Sequence, residues 1–467
     1  MSDRPAPKVP PRVSMAERAA EERVRDFREV PEGYSRAQAV KEAERCLQCK
    51  KPTCIAGCPV RINIPKFIAE MLAGDFPAAY RTICESNTLP AVCGRVCPQE
   101  VQCEVACVLS RKYDPIAIGA LERFVGDWAA ENVPRSQQQA PARLGAVVVV
   151  GAGPAGLTAA ADLRRFGYHV VLFEALHEPG GVLTYGIPEF RLPRVILKEE
   201  LGRLTDTGVE IVPNYVIGRI LTVEELLADF GAVFLATGAG LPHFMNVPGE
   251  MALGAFSANE FLSRVNLLYA YRFPEFPTPV KVGKRVAVIG AGNTAMDAAR
   301  CSRRLRGVEE VTIVYRRSRA EMPAREAEIE HAEEEGVQFE LLQAPTRVLS
   351  DDKGWVTGLE IIKMELGEPD ESGRRRPVPI SGSEFVMPLD TVIVAVGQAA
   401  NPLISQTTHG LKTGRDNVVV VDSETLMSSR PRVFAGGDVI TGGTTVIEAM
   451  GHGRKAAAAI HAYLGAR

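Results

Sequence analysis

The sequence lacks any run of eighteen apolar residues and any signal-peptide pattern. It also lacks a charge imbalance, since its formal net charge is −3 and its pI is about 6.3. The first absence argues against a membrane protein. The second argues against nucleic acid or an acidic membrane surface as a partner. We therefore expect a cytoplasmic protein, in a compartment where thiols stay reduced.

Histidine is scarce, with seven scattered residues in a chain of 467. No Ser–His–Asp set and no paired-carboxylate site is visible, so the sequence predicts no catalytic general acid or base. The composition is that of an ordinary globular protein, with 46% hydrophobic and 24% charged residues. The chain is long enough for two to four domains.

Cysteine is nearly absent outside one block. Nine of the ten cysteines lie between Cys46 and Cys107, and only Cys301 lies elsewhere. The first group has the spacing C-x2-C-x4-C-x3-C-P, and the second has the spacing C-x3-C-P-x4-C-x3-C. The groups are Cys46, Cys49, Cys54 and Cys58 followed by Pro59, and Cys93, Cys97, Cys103 and Cys107.

Three kinds of site bring cysteines this close together. The size of the chain and the lack of a secretion signal disfavour a disulfide framework. Structural zinc fits the C-x2-C unit and needs four ligands per ion. Paired iron–sulfur clusters explain more, because in two-cluster ferredoxins the cysteine before the proline ligates the other cluster. The sequence therefore predicts two iron–sulfur clusters whose ligands cross between the two cysteine groups.

This crossing divides the cysteines into one set of four ligands and one set of three. The predicted sets are Cys46, Cys49, Cys54 and Cys107 for the first cluster, and Cys58, Cys97 and Cys103 for the second. The second cluster is then one ligand short, and two cysteines, Cys84 and Cys93, are unassigned. Cys93 is the plain candidate from spacing alone, because it lies four residues before Cys97.

A first glycine fingerprint lies in the segment from Ala146 to Glu174, which reads as strand, Gly-x-Gly-x-x-Gly, helix, strand and acid. Gly151 makes the tight turn, Gly153 lets the backbone approach a pyrophosphate, and Gly156 lets the helix pack on the strand. The helix N-terminus favours the anion. Glu174 lies where an acid binds a ribose hydroxyl. The segment therefore predicts an FAD site.

A second fingerprint spans 285–318, with Gly290, Gly292 and Ala295 at the three small-residue positions. Its second strand ends in Arg316 and Arg317 rather than in an acid. An acid would repel a 2′-phosphate, whereas a guanidinium binds one bidentately. The segment therefore predicts an NADP(H) site. The alternative is that both arginines are only solvated surface.

The order of these features predicts a split domain. The strand "AVFLATGA" ends at Thr237 and Gly238, and a similar strand, "DTVIVAVG", follows the second fingerprint. These two strands mark where the chain leaves and re-enters the FAD domain. We predict an α/β protein with an N-terminal α-helical iron–sulfur domain and two Rossmann-like dinucleotide-binding domains, the NADPH domain being inserted in the FAD domain. The predicted bounds are 1–140 for the iron–sulfur domain, 145–280 and 395–467 for the FAD domain, and 281–394 for the NADP(H) domain.

The C-terminal part adds a strand in "RVFAGGDV" and a helix from about Thr445. We expect the N-terminus of this helix to point at the flavin ring, where it would stabilise negative charge. Simple packing is the alternative role for the helix.

Stretches such as "RCLQCKKPTC", "NTLPAVCGRVCPQE", "AIGALERF", "YGIPEFRLP", "GAGNTAMD", "YRRS" and "FAGGD" resemble the small (beta) subunit of NADPH-dependent glutamate synthase. The resemblance covers nearly the whole chain. It extends to the N-terminal half of dihydropyrimidine dehydrogenase and to the large subunit of the NADH-dependent ferredoxin:NADP oxidoreductase. It implies FAD, NADPH and two [4Fe–4S] clusters, with the clusters between the FAD and an external redox partner.

The resemblance also implies particular site residues. In this family a Gln or Glu in the "IGxLx" stretch fills the missing cluster position, and the matching residue here is Glu122, which replaces Cys93 as our predicted ligand. Asn293 in "GAGNTAMD" is implied at the NADP(H) site. The residues implied to line the FAD are Leu183, Arg191, Thr237, Gly437, Asp438 and Thr445.

The family implies a hetero-oligomer, with two candidate partners. One is the glutamate synthase large subunit. The other is a small FAD/[2Fe–2S] subunit together with ferredoxin, as in an electron-bifurcating transhydrogenase. The chain has no N-terminal cysteine nucleophile and no FMN barrel, so we do not expect it to make glutamate alone. A non-enzymatic scaffold with a vestigial nucleotide site is a third hypothesis, which the intact fingerprints disfavour.

Overall fold

The computed structural model describes residues 9–135, 142–370 and 373–465. The predicted iron–sulfur segment is helical, and part of its predicted range, 1–8 and 136–140, lies outside the described residues. Asn63 and Asp75 cap two of its helices by accepting hydrogen bonds from Lys66 N and Ala78 N. Its elements are β1 (Ala16–Glu17), α1 (Ala20–Arg23), β2 (Pro31–Gly33), α2 (Arg36–Ala43), α3 (Thr53–Gly57), α4 (Ile64–Leu72), α5 (Phe76–Cys84), α6 (Pro90–Val96) and α7 (Ile118–Asn132).

A five-stranded parallel sheet follows, with strand order β18-β6-β3-β4-β5. Its central strand is the run "AVVVV", and the last four residues of this strand are buried because helices cover both faces of the sheet. The strands are β3 (Ala146–Val150), β4 (His169–Phe173), β5 (Glu210–Val212), β6 (Ala232–Leu235) and β18 (Val433–Ala435). The accompanying helices are α8 (Pro154–Phe166), α9 (Val182–Tyr185), α10 (Arg194–Asp206), α11 (Val223–Asp229), α15 (Leu403–Thr407), α16 (Asp438–Thr441) and α17 (Val446–Gly465).

A second five-stranded parallel sheet has the order β11-β10-β9-β16-β8. Its strands are β8 (Ala255–Ser257), β9 (Arg285–Ile289), β10 (Glu310–Tyr315), β11 (Gln338–Leu341) and β16 (Thr391–Val394). Its helices are α12 (Ala258–Leu262), α13 (Asn293–Arg304) and α14 (Glu326–Glu334). The sheet corrects one predicted boundary. Because β8 pairs with β16, the inserted unit includes residues before 281, where the sequence predicts the FAD domain.

Two smaller sheets complete the chain. An antiparallel sheet packs beside the second parallel sheet and contains β12 (Gln343–Ser350), β13 (Val356–Pro369), β14 (Arg375–Pro379) and β15 (Phe385–Pro388). A two-stranded link, β7 (Leu241–Pro242) with β17 (Gln398–Ala399), joins the outgoing and returning chain. The predicted fold class is confirmed, since a helical N-terminal part precedes two Rossmann-like sheets and the second sheet is inserted in the first.

Among the described residues, no helix combines the length and the apolar character that crossing a bilayer requires.

Candidate functional site

A cavity of about 370 Å³ opens at the carboxyl edge of the first sheet. It lies where the first fingerprint, the C-terminal strand and the start of α17 meet, which is where open α/β sheets bind ligands. Eight predicted FAD residues line it: Gly151, Gly153, Glu174, Thr237, Gly238, Gly437, Asp438 and Thr445.

The three fingerprint glycines have different surroundings. Gly151 has a φ of +105°, and a Cβ there would lie 2.4 Å from the carbonyl oxygen of Ala236. A Cβ on Gly156 would lie 1.9 Å from the carbonyl oxygen of Gly151, so this glycine lets α8 pack on the β3 turn. A Cβ on Gly153 would meet no protein atom within 4 Å, so this position is open towards the cavity.

Glu174 lies at the end of β4, and its carboxylate accepts two backbone hydrogen bonds. Ala152 N donates to Oε2 and Leu176 N donates to Oε1, each at 2.8 Å. Burial raises the pKa of Glu174, while these backbone donors lower it. The hydrogen bonds fix the carboxylate at the rim of the cavity, where it can accept a hydroxyl.

Two buried polar atoms in the cavity wall have no hydrogen-bond partner among the described residues: Thr237 Oγ1 and Asp438 Oδ1. Burial raises the pKa of Asp438 to about 6. Unpaired buried polar atoms are costly, so a ligand that supplies polar groups would stabilise this wall. With the open position at Gly153, the residues present therefore fit FAD.

The first turn of α17 lines the same cavity, as we predicted from the sequence. However, Glu448 in that turn accepts hydrogen bonds from Thr445 N at 3.0 Å and from Thr445 Oγ1 at 2.7 Å. This carboxylate offsets part of the positive potential that the helix N-terminus offers to a reduced flavin.

Two FAD residues implied by the family resemblance, Leu183 and Arg191, do not line the cavity, and their role at the FAD stays a prediction. Leu183 is fully buried in the core. Arg191 Nη1 lies 2.7 Å from Asp297 Oδ1, and its Nε lies 2.9 Å from Glu328 Oε1. Arg191 therefore joins the loop after α9 to α13 and α14 of the inserted unit.

We expect acid to weaken this contact through Glu328. Burial raises the pKa of Glu328, but the charges of Arg191 and Arg300 outweigh burial and lower it from 4.5 to about 2. The stabilisation is complete above pH 4.5 and is lost as the pH falls to about 2, which corresponds to about 3 kcal/mol. Unfolding midpoints measured across this range test the prediction: Glu328→Gln should show a shallower pH dependence than wild type, and equal slopes would contradict it.

The second fingerprint forms the same turn in the inserted unit. Gly290 has a φ of +127°, and a Cβ there would lie 2.3 Å from the carbonyl oxygen of Ala395. A Cβ on Gly292 would meet only Pro323 Cγ, at 3.9 Å, and Ala295 is fully buried. Asn293 begins α13, and its Oδ1 accepts a hydrogen bond from Arg325 N at 3.0 Å. The open backbone at Gly292 and the helix N-terminus beside it fit a pyrophosphate.

The two arginines after β10 have different environments. Arg316 is exposed, as a residue that binds a 2′-phosphate must be. Arg317 is buried, its Nη2 pairs with Asp370 Oδ2, and its Nε donates to the carbonyl oxygen of Arg375 at 2.8 Å. The structure therefore distinguishes the two predicted residues, since Arg317 joins β10 to the antiparallel sheet and Arg316 is the guanidinium of the two that is open to a ligand.

The predicted ligands of the first cluster lie together. Cys46, Cys49, Cys54 and Cys107 line one small cavity whose remaining wall is largely apolar. Gln48 Nε2 lies 3.6 Å from the sulfur of Cys46 and donates to it. The two cysteine groups approach at a glycine, since a Cβ on Gly57 would lie 2.7 Å from the carbonyl oxygen of Gln102.

The predicted ligands of the second cluster are also neighbours. Cys58, Cys97, Cys103 and Glu122 are all buried. Burial raises the pKa of Cys103, as do the nearby negative charges of Glu104, Glu122, Cys58 and Cys97. Burial also raises the pKa of Glu122 to about 8 and the pKa of Cys58 to about 11. Buried thiols and a carboxyl without a neutralising cation suit a site in which iron supplies the positive charge.

The two groups of side chains suit iron–sulfur clusters in composition. One group is four cysteines around a small, largely apolar cavity, and the other is three buried cysteines with one buried carboxyl. A [4Fe–4S] cluster takes its protein ligands on different irons, and cysteine is the usual ligand. The residues present therefore fit two clusters.

The cysteine block contacts the FAD cavity directly. Gln102 Nε2 lies 3.3 Å from Thr445 Oγ1, and Met450 Sδ on α17 lies 3.5 Å from Cys93 Sγ. A Cβ on Gly451 would lie 3.4 Å from the carbonyl oxygen of Pro59. One face of α17 therefore packs on the predicted second-cluster region, and its first turn lines the FAD cavity.

Sequence reasoning missed Gln102 and Asn87, which contact predicted site residues. Gln102 directly precedes Cys103, and Asn87 Nδ2 donates to Glu122 Oε1 at 2.6 Å. Asn87 begins the stretch "NTLPAVCGRVCPQE" and Gln102 follows it closely, but neither contact could be read from the sequence, because each joins segments that are distant along the chain.

Comparisons with known proteins agree with this architecture. Residues 23–133 match the family described as dihydropyrimidine dehydrogenase domain II, 4Fe-4S cluster, and residues 145–453 match the pyridine nucleotide-disulphide oxidoreductase family. The glutamate synthase [NADPH] small chain of Escherichia coli K12 is 36% identical over 445 residues, which are 94% of this chain and 94% of that protein.

Two further comparisons give a relative from a different enzyme and a solved structure with a similar fold. The NADP(+)-dependent formate dehydrogenase subunit beta of Moorella thermoacetica is 40% identical over 88% of this chain, which spans 60% of that relative. Mycobacterium tuberculosis FprA in complex with NADPH has a TM-score of 0.58 and 22% identity, covering 69% of this chain and 85% of that one. The similarity to FprA concerns the fold alone.

The fold and these matches define an NADPH-dependent flavin oxidoreductase that uses FAD and [4Fe–4S] clusters. The chain belongs to the glutamate synthase small-chain family, as the sequence motifs predicted.

Proposed function

We propose that the chain exchanges electrons between NADPH and a separate partner subunit. In this proposal NADPH binds at the second fingerprint, FAD occupies the cavity of the first sheet, and the cysteine block carries both clusters. Bound in this cavity, FAD would supply chemistry that takes electrons in pairs from NADPH and passes them on singly to the clusters.

The observation that carries the proposal is the position of α17. Thr445 and the first helical residue, Val446, line the cavity, and one turn later Met450 contacts Cys93 in the cysteine block. The hydrogen bond from Gln102 to Thr445 adds a second direct contact between the two sites. A single helix thus spans the distance from the proposed flavin site to the proposed second cluster.

Anaerobic purification with metal, flavin and kinetic analysis tests this proposal. We expect about eight irons and one FAD per chain, together with dye reduction that prefers NADPH to NADH. Zinc in place of iron, or flavin without iron, would contradict it.

We propose the glutamate synthase large subunit as the partner of this chain. The proposal is supported by the relatives of this chain, which include glutamate synthase small chains that it covers over 94% of their length. The alternative is a small FAD/[2Fe–2S] subunit with ferredoxin, in an electron-bifurcating transhydrogenase. Adding the purified glutamate synthase large subunit should produce glutamine-dependent NADPH oxidation. Reduction of ferredoxin by NADPH only when the small subunit and NAD+, as the second electron acceptor, are present would favour the alternative.

We expect Arg316→Ala to raise the KM for NADPH and to leave the KM for NADH unchanged. Arg316 is exposed at the end of β10, and the loss of one charged contact costs about 1.5–3 kcal/mol, or about 10- to 150-fold in binding. Steady-state dye reduction with each nucleotide measures the effect.

Arg317→Ala is the matched variant for this test. It removes the pair with Asp370, so we expect a lower unfolding midpoint and a smaller NADPH-specific change. An equal KM change for NADH and NADPH in Arg316→Ala would show that Arg316 does not bind the 2′-phosphate.

A further inference from the structure

Asn87 is a buried asparagine between α5 and α6, and its side chain contacts both candidates for the fourth ligand of the second cluster. It is fully buried. Its Nδ2 donates to Glu122 Oε1 at 2.6 Å, and the Cys93 thiol donates to its Oδ1 at 3.6 Å. One amide therefore binds a carboxyl on α7 and a thiol on α6.

The backbone fixes the orientation of this amide. Leu89 N donates to Asn87 Oδ1 at 2.9 Å. A backbone N–H requires an acceptor, so the amide oxygen must face Leu89 and the Nδ2 group must face Glu122. The Asn87 backbone is held as well, since its N–H donates to the carbonyl oxygen of Ile83 at 2.8 Å. The donor that meets Glu122 is therefore preorganised.

This arrangement leaves the two oxygens of Glu122 in different situations. Oε1 accepts the hydrogen bond from Asn87, whereas Oε2 has no hydrogen-bond partner among the described residues. A carboxylate that is held at one oxygen can present the other oxygen to iron in one defined orientation. Such hydrogen bonds to metal ligands orient the ligand and change its basicity.

The contacts of the Cys93 sulfur differ from those of the Glu122 carboxylate. Besides the contact with Asn87 Oδ1, its sulfur lies 3.5 Å from Met450 Sδ on α17, and it interacts with Cys97 one turn along α6. Its sulfur thus packs between the amide, a thioether and a neighbouring thiol. Among the described residues, the Glu122 side chain hydrogen-bonds only to Asn87.

We propose that Asn87 is a positioning residue that presents Glu122 Oε2 to the second cluster and retains the Cys93 sulfur outside the ligand set. This inference rests on the proposed function, in which Glu122 is an iron ligand. Asn87 itself touches no iron in this assignment, and its effect passes through the carboxylate.

Asn87→Asp tests the proposal in the anaerobically purified full chain. Aspartate keeps the oxygen that accepts from Leu89 N but replaces the donor to Glu122 with an oxygen. Loss of the donor and addition of negative charge both favour the oxidised cluster. We therefore expect a more negative midpoint potential and an altered EPR signal for one of the two clusters. Binding of that cluster should also weaken by about 10–100-fold, seen as faster loss of its signal in the presence of EDTA.

Asn63→Asp is the matched control, because Asn63 also accepts a backbone hydrogen bond at the start of a helix but is exposed and contacts no predicted ligand. It should leave both EPR signals and both potentials unchanged. Asn87→Asp with wild-type signals and potentials would overturn the inference.

Two more variants separate this inference from the ligand assignment. Glu122→Ala should abolish or change the same EPR signal that Asn87→Asp shifts, and Cys93→Ser should retain both signals. If Glu122→Ala changes the signal and Asn87→Asp does not, the assignment of Glu122 as a ligand stands and the proposal that Asn87 positions it is wrong. If Cys93→Ser loses the signal, Cys93 is the ligand and the inference is wrong, although the proposed NADPH-linked function can still hold.

Discussion

Replacing Glu335 with alanine is expected to lower the free energy of unfolding by about 3–5 kcal/mol. The Glu335 side chain is fully buried and accepts hydrogen bonds from three arginines. Arg23 Nε lies 2.9 Å from Oε1, Arg300 Nη2 lies 2.7 Å from Oε1, and Arg304 Nη1 lies 2.6 Å from Oε2. Without the carboxylate, three guanidinium groups would face one another away from water.

The electrostatics of Glu335 agree with this expectation. Burial alone raises its pKa, but the hydrogen bonds and charges of Arg304 and Arg300 lower it below 4.5. The carboxylate is therefore ionised at neutral pH, and its removal leaves an excess of buried positive charge. Arg23 belongs to α1 of the N-terminal part, so the variant also loosens the contact between that part and the inserted unit.

Glu334→Ala is the matched control for Glu335→Ala, because it removes a neighbouring carboxylate that contacts the same Arg23 at 2.6 Å. The Glu334 side chain is 56% exposed, so its loss should cost at most about 1 kcal/mol. Chemical denaturation of the two variants and of wild type measures the difference. Equal destabilisation by both variants would contradict the greater contribution expected of the buried carboxylate.

The features that the sequence predicted well are those whose residues are close together along the chain. Gly151, Gly153 and Gly156 belong to one turn and the start of one helix, so their spacing in the sequence was enough to predict their positions in the structure. The cysteine spacing placed Cys107 beside the first group, and the structure brings it into the cavity lined by Cys46, Cys49 and Cys54; the assignment of ligands to each cluster stays a prediction. The inserted second sheet followed from the order of the fingerprints.

The features that the sequence missed depend on residues that meet only in the folded chain. Arg191 pairs with Asp297, 106 residues later, and nothing near Arg191 indicates that contact. Arg317 pairs with Asp370, 53 residues later and directly after β13 of the antiparallel sheet. Strand β8 has three residues, which is too short for a periodic pattern. Tertiary contacts therefore decided which predicted arginines remain available to a ligand.

Alanine at Gly153 and alanine at Gly156 are expected to abolish FAD binding for different reasons. A Cβ on Gly153 meets no protein atom within 4 Å, so the variant should fold normally but block the close approach of a pyrophosphate. A Cβ on Gly156 would lie 1.9 Å from the carbonyl oxygen of Gly151, so that variant should lose at least about 1–3 kcal/mol even without flavin. The flavin-to-protein ratio and the unfolding midpoint of the flavin-free proteins separate the two effects.

Gly292→Ala provides the control for Gly153→Ala, because it occupies the same fingerprint position in the inserted unit. A Cβ on Gly292 meets only Pro323 Cγ, at 3.9 Å, so this variant should fold, retain FAD and raise the KM for NADPH. Stoichiometric FAD in Gly153→Ala would contradict the placement of a pyrophosphate at the first turn. If Gly153→Ala loses FAD but keeps its unfolding midpoint, the second glycine serves the approach of the cofactor. If Gly156→Ala loses FAD and also has a lower unfolding midpoint, the third glycine serves helix packing.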